Sequence, residues 1–390
     1  MTDPLAWLDV EAAERAHRGL SRNVTALGPA TPGRVESPDG RLVNFASNDY
    51  LGLAADPRVV EAAVLAAKEF GWGSGASPLV SGWRTPHEAL AESLAAFEGA
   101  EAVALFPTGF AANLGTIAAL VGPGDAVYCD RLDHACLIDG ARLSGATLRV
   151  YPHNDTARLA EILDRDRGRF RRTLLATDGV FSMDGDLAPL ADLADLAETF
   201  GAMLLVDEAH GTGVFGPDGR GACSASDVAD RIPIRVGTLS KSLASLGGFV
   251  AGSRRLIDHL HARARPLLYS TALPPAAAAA ALEALRIVRA EPWRRDRVHA
   301  FGRDLRERLT ALGALVPPST GPIVPVLLGE PGRARAASER LRAAGLLVPA
   351  IRPPTVPVGT SRLRISLSAS HTDADLDTLV GALNGLELGI

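Results

Sequence analysis

Between residues 102 and 251 the chain alternates short, unbroken apolar runs with longer segments of helical periodicity. Ala102–Phe106, Asp125–Cys129, Thr147–Tyr151, Thr173–Thr177, Ala202–Val206, Ile234–Val236 and Gly248–Ala251 read as strands. Pro86–Phe97 just before the first strand, and Phe110–Leu120, Thr156–Arg165 and Pro189–Phe200 between later ones, read as helices. Apolar runs this short, without polar alternation, are buried on both faces. The intervening helices supply the long crossovers that parallel strands require. The pattern therefore dictates an α/β fold with a mostly parallel central sheet and ligands at the strands' C-terminal edge.

Flanking segments complete the organisation. Residues 1–47 read as an N-terminal arm, with a helix near Ala6–Leu20 and a hairpin turning at Asp39-Gly40. Residues 48–290 form the large domain, which ends in an alanine-rich helix opened by Pro274-Pro275. Residues 291–390 read as a small α+β domain. It holds helices at Arg294–Leu312, Ala334–Ala344 and Asp373–Leu386, and strands near Ile323–Leu328 and Arg362–Ser368. There is no internal repeat.

Charge and composition exclude several classes. Forty basic against 45 acidic residues give a net charge of −5, so nothing points to nucleic acid. No apolar run approaches the ~18 residues of a membrane span. Met1-Thr2-Asp3-Pro4 carries an acid where a secretory signal needs a basic region. Cys129, Cys136 and Cys223 have no metal spacing and are expected as buried free thiols in a cytoplasmic protein.

Only two of the 40 basic residues are lysines, Lys68 and Lys241. Where arginine serves as the generic cation, a retained lysine is a candidate for amine chemistry such as imine formation, which a guanidinium cannot perform. Lys68 falls on an amphipathic helix, Glu61–Phe70, and reads as a solvated face. Lys241 falls in Gly237-Thr238-Leu239-Ser240-Lys241-Ser242, among small hydroxyl residues.

Three familiar patterns fail for lack of context. Asp207-Glu208-Ala209-His210 resembles a helicase acidic box, but no Gly-Lys-Ser/Thr phosphate loop accompanies it. Gly211-Thr212-Gly213-Val214-Phe215-Gly216 matches a dinucleotide fingerprint, yet Pro217-Asp218-Gly219 stands where the helix should begin. His259 and His261 are two apart on a helix, which points their rings in different directions, so no metal site is expected.

A lysine-bound pyridoxal phosphate (PLP) instead accounts for several strand-end residues together. It needs an amine, a carboxylate beside its pyridine nitrogen, a helix N-terminus for its phosphate and a ring to stack on. Lys241 supplies the amine. Asp207 ends an apolar strand, with His210 three residues on and within reach of the ring oxygen. Gly109 and Phe110 open a helix, His134 follows another strand, and Ser182 and Thr238 add hydroxyls at the same rim. Each piece alone also fits an ordinary turn or a satisfied polar side chain; their chain order makes the set specific.

That set, with Asn44–Leu53, Gly73–Ser77 and Gly179–Gly185, resembles the α-oxoamine synthases, PLP-dependent transferases of fold type I. The likeness runs from about residue 15 to 385. Ile351-Arg352-Pro353-Pro354-Thr355 is similar to the branch that condenses L-alanine with a pimeloyl thioester, carried on CoA or acyl carrier protein, in biotin biosynthesis. The alternative is a glycine- or serine-using synthase of the same family. The resemblance makes Lys241 the Schiff-base lysine, pairs Asp207 with the pyridine nitrogen and His210 with the ring oxygen, and stacks His134 on the ring. Gly109, Phe110 and Thr238 surround the phosphate, and Ser182 lines the cofactor. Arg352 takes the amino-acid carboxylate, while Arg22, Asn48 and Thr355 contact substrate. Ser270 and Thr271 reach the phosphate of a partner subunit in a homodimer. Pro78 and Ser240 depart from the residues common in relatives.

Overall fold

The computed structural model describes residues 3–386. Its backbone separates into two compact units. The larger holds Asp49–Ser182 and Asp186–Asp296; the smaller holds the chain up to Asn48, Met183–Gly185 and the chain from Arg297 on.

In the larger unit seven strands form one sheet: β1 (Ala102–Phe106), β2 (Ala126–Asp130), β3 (Thr147–Tyr151), β4 (Thr173–Asp178), β5 (Met203–Asp207), β6 (Ile234–Thr238) and β7 (Gly248–Gly252). The spatial order is β1-β7-β6-β5-β4-β2-β3. The four neighbouring pairs from β6 to β3 are parallel, and β7 runs antiparallel to both its neighbours. The reversal at β7 follows from length. Leu239–Gly247 is too short for a helical crossover, so β6 and β7 can only pair antiparallel. Every residue of β1, β2, β6 and β7 is buried, whereas β3, at the sheet edge, is mostly half-exposed.

Helices cover both faces. Helix α1 (Gly109–Leu120) follows β1, and α2 (Ala135–Ser144) follows β2. Sequence periodicity does not single out α2, because Gly140 at its centre weakens the helical signal. The alanine-rich helix Pro275–Ala290 buries Ala278, Ala281, Ala284 and Val288 in a core shared with Leu90, Leu94 and Phe249. Lys68 is exposed on helix Pro57–Phe70, and Cys129, Cys136 and Cys223 are buried and free.

The smaller unit contains the expected hairpin, Arg34–Ser37 with Gly40–Asn44, extended by the parallel segment Leu346–Leu347. A second sheet places Ser361–Ser366 between Ile323–Gly329 and Ala350–Ile351. Phe45, Leu305, Val324, Ile365, Leu376 and Leu379 share its core. The N-terminal helix spans Trp7–His17 and buries none of its residues. Among the described residues no helix is long and apolar enough to cross a membrane.

Candidate active site

The C-terminal ends of β1, β2, β4, β5 and β6 converge on one cleft of about 230 Å³ within the larger unit. At the end of β1, Thr108 caps α1 by accepting a hydrogen bond from the Ala111 N–H, 3.0 Å. The first N–H groups of a helix have no intrahelical acceptor, so those of Gly109 and Phe110 are donors for an anion. Glycine at 109 allows a close approach. A Cβ there would lie 3.1 Å from Thr238 Cβ, and one on Gly248 would lie 2.6 Å from Gly109 Cα. Any side chain at 109 would fill the space between the helix and Thr238.

Asp207 ends β5 and is buried. Its Oδ1 accepts from the Ala209 N–H at 2.7 Å, and its Oδ2 accepts from Asn113 Nδ2 at 2.7 Å. Next to it, buried Glu208 accepts from the N–H groups of Ala222 and Cys223, 2.7 Å each, which pins the turn carrying His210. No helix follows Asp207, as the Gly-rich sequence implies; Gly211–Gly216 forms turns. His210 lies between two partners. Its Nδ1 is 2.7 Å from the Tyr50 hydroxyl and its Nε2 is 2.8 Å from Lys241 Nζ.

Lys241 is half-buried in the tight β6–β7 loop, which closes through Leu239 N–H to Gly247 O and Ala244 N–H to Lys241 O. The Thr238 hydroxyl donates to Gly247 O at 2.9 Å, and the Ser240 hydroxyl is 2.7 Å from Thr238 Oγ1.

The ends of β2 and β4 are tied by carboxylates. Asp133 accepts from the N–H groups of Asp130 (2.7 Å) and Asp178 (2.9 Å), and the His134 N–H donates to Asp178 Oδ2 at 3.1 Å. Burial pushes both carboxyls well above the usual carboxylate range; Asp207 and Asp133 add to the effect at Asp178, and Asp130 at Asp133. His134 is exposed and lines the cleft, with the Phe110 ring edge-on to its own at 6.2 Å between centroids. Desolvation holds it below the ordinary histidine range, against the pull of Asp207 and Asp139.

Thus Gly109, Phe110, His134, Ser182, Asp207, His210, Thr238 and Lys241 line one cleft. Ser270 and Thr271 do not; they border a separate shallow hollow with Trp83 and His87. Asn48, Arg22, Arg352 and Thr355 belong to the smaller unit. There Arg22 donates to Thr355 Oγ1 (3.0 Å), Arg352 donates to Gly19 O and Ser21 O, and Arg364 donates to Asn48 Oδ1 (3.1 Å). Sequence reasoning passed over Tyr50, Asn113, Asp133, Cys136 and Asp178 as site residues. Asn113 was within reach, since it stands one helical turn beyond Gly109 on the same face of α1.

The donor set fits PLP: an amine for its aldehyde, a carboxylate for its pyridine nitrogen, and a glycine-floored helix N-terminus for its phosphate. Residues 41–383 match the family model "Aminotransferase class I and II". The 8-amino-7-oxononanoate synthase of Anaeromyxobacter dehalogenans (strain 2CP-1 / ATCC BAA-258) is 51% identical over 379 residues, 97% of this chain and 95% of its own. A solved serine palmitoyltransferase variant from S. paucimobilis with a bound PLP–myriocin aldimine superposes with a TM-score of 0.93 at 31% identity, covering 99% of this chain and 98% of its own. The solved 8-amino-7-oxononanoate synthase from Francisella tularensis gives a TM-score of 0.77 at 28% identity, over 88% of this chain and 96% of its own.

Fold and site define a PLP-dependent enzyme of the aminotransferase class I and II type. Backbone shape is shared with the palmitoyltransferase, but the Anaeromyxobacter oxononanoate synthase is 51% identical against 31% for the palmitoyltransferase. The chain belongs to the 8-amino-7-oxononanoate synthase family.

Proposed function

We propose that the chain joins L-alanine to a pimeloyl thioester, on CoA or acyl carrier protein, releasing 8-amino-7-oxononanoate, CO2 and the free thiol for biotin biosynthesis. The observation that carries this reading is the meeting of Lys241, His210 and Asp207 in one cleft floored by the N-terminus of α1. When bound, PLP supplies an aldehyde that binds an amine and a ring that withdraws electrons from the amino acid's Cα.

The protein's own groups do the rest. Lys241 Nζ holds the cofactor and then moves the Cα proton of alanine. Asp207 keeps a proton on the pyridine nitrogen, an ion pair strengthened by burial. His210, positioned by Tyr50 at Nδ1, donates from Nε2 to the ring oxygen beside Lys241. His134 stacks on the ring and faces the attacked thioester. The N–H groups of Gly109 and Phe110, with Thr238, bind the phosphate, and Ser182 borders the ring. Arg352 binds the alanine carboxylate, and Arg22, Asn48 and Thr355 contact substrate, as in the family. Ser270 and Thr271 extend to the partner subunit's phosphate in a cytoplasmic homodimer.

A visible-absorbance titration of the PLP-loaded protein tests the reading. L-Alanine should change the cofactor band, and pimeloyl-CoA should then yield 8-amino-7-oxononanoate and free thiol. A band that responds to glycine or serine but not to alanine would move the chain to another α-oxoamine synthase activity.

A further inference from the structure

We propose that Asn113 and Cys136 are positioning residues: with Asp207 and His134 they form a directed hydrogen-bond chain that fixes His134 as its Nε2–H tautomer. The consequence for catalysis rests on the functional reading above; the tautomer itself does not.

The direction follows one bond at a time. The Asp207 carboxylate has no hydrogen to give, and its Oδ2 is 2.7 Å from the Asn113 amide. Asn113 must therefore turn its NH2 toward Asp207. The cost is visible: Asn113 Oδ1 is buried without a hydrogen-bond partner. The second hydrogen of the same NH2 points to Cys136 Sγ at 3.2 Å. The sulfur that receives this hydrogen keeps one of its own to give, and His134 Nδ1 is 2.9 Å away; the direction of that contact is set by the next one. The backbone N–H of Cys136, which can only donate, approaches the same Nδ1 at 3.3 Å, because His134 caps α2. That backbone donor requires the lone pair of Nδ1, so the thiol in turn can only donate toward it. The hydrogen of the neutral ring is then on Nε2.

A histidine set in this way is a donor over the cofactor. As the alanine carbon attacks the thioester, negative charge grows on the carbonyl oxygen, and a preorganised N–H stabilises it without reorganisation. The same contacts oppose protonation of the ring, because a protonated Nδ1 would face two donors. The titratable groups around it are Asp207, Asp139, Asp178 and Lys241. Desolvation and Lys241 also disfavour the cationic ring, whereas Asp207 and Asp139 favour it.

The test reads the ring itself in the PLP-loaded protein, by 15N ring shifts and by peptide-resolved exchange of the histidine C2 proton against pH. The expected wild-type result is an unprotonated Nδ1 and a protonated Nε2 at neutral pH. Cys136→Ala removes the thiol donor, so the His134 midpoint should rise toward the ordinary histidine value. With it, kcat should fall roughly two- to tenfold, the effect of one hydrogen bond, with the KM for alanine unchanged. Cys136→Ser keeps a hydroxyl able to accept from Asn113 and donate to Nδ1, and should restore the midpoint. A protonated Nδ1 in the wild type, or an unmoved midpoint in Cys136→Ala, overturns the proposal. The cofactor band separates the two readings. Its absence in the wild type would defeat the assigned function, while the ring tautomer still decides for or against the chain of hydrogen bonds.

Discussion

At Lys241 an amine stands 2.8 Å from an imidazole, in a cleft also lined by the buried Asp207. The scarcity of lysine made this residue legible, and the apolar run before Asp207 did the same for the carboxylate. Tyr50 was not legible as a site residue: its contact joins positions 160 apart in sequence, and no local pattern reports that. Replacing Lys241 by alanine should abolish turnover and the protein-bound cofactor band. Arginine at 241 should do no better, because it keeps the charge but forms no imine. Asp207→Asn should still bind PLP, yet kcat should fall at least about a hundredfold, since a buried unit charge beside the ring is worth several kcal/mol and each ~1.4 kcal/mol is a decade in rate. Steady-state kinetics beside a cofactor titration would separate those effects; near-normal kcat in Asp207→Asn would contradict its role.

Elements carry the next set of consequences. The helix that opens at Gly109 presses on Thr238 and Gly248 so closely that a side chain cannot be added without movement. Gly109→Val should cost about 1–3 kcal/mol of overpacking at the phosphate cradle and raise the Kd for PLP roughly ten- to a hundredfold. A fluorescence titration of cofactor binding checks this. At the end of β3, His153 lies between Asp130 (3.0 Å) and Asp186 (2.8 Å), its ring edge-on to Phe181. Burial alone would lower its pKa, but the two carboxylates override that and raise it to about 10. A folded-state value above the unfolded one, about 6.5, means that the stabilisation is complete below pH 6.5 and is lost as pH rises toward 10. Wild-type Tm should therefore decline across that window. His153→Gln should melt on the order of 2–4 °C lower at pH 6.5 and show a flatter profile, by thermal scans at several pH values. Strands β1, β2 and β4 to β7 were legible because strands buried on both faces are continuous in sequence. The reversal of β7 was hidden, because it depends on loop length and pairing.

For the whole molecule, the smaller unit is assembled from separated stretches, and Met183–Gly185 from mid-chain belongs to it. Gly185 O accepts from the Thr320 N–H at 2.9 Å, a contact without any signature in local periodicity. Trp72, Val80 and Tyr269 are exposed by about three-quarters of their surface, and Tyr269 immediately precedes Ser270 and Thr271. Apolar side chains left open in this way suit a subunit interface. If the proposed homodimer forms, the native mass is twice 40.7 kDa and activity per chain falls on dilution below the dimer's dissociation constant. Native mass spectrometry that found only fully active monomer would contradict the shared-site reading.

Reducing the PLP-loaded protein with borohydride and mapping its peptides by mass reports directly on where the cofactor is held. The expected result is a single pyridoxyl-phosphate adduct on the peptide carrying Lys241 and none on the peptide carrying Lys68. An adduct on Lys68, or no adduct at all, would contradict the account.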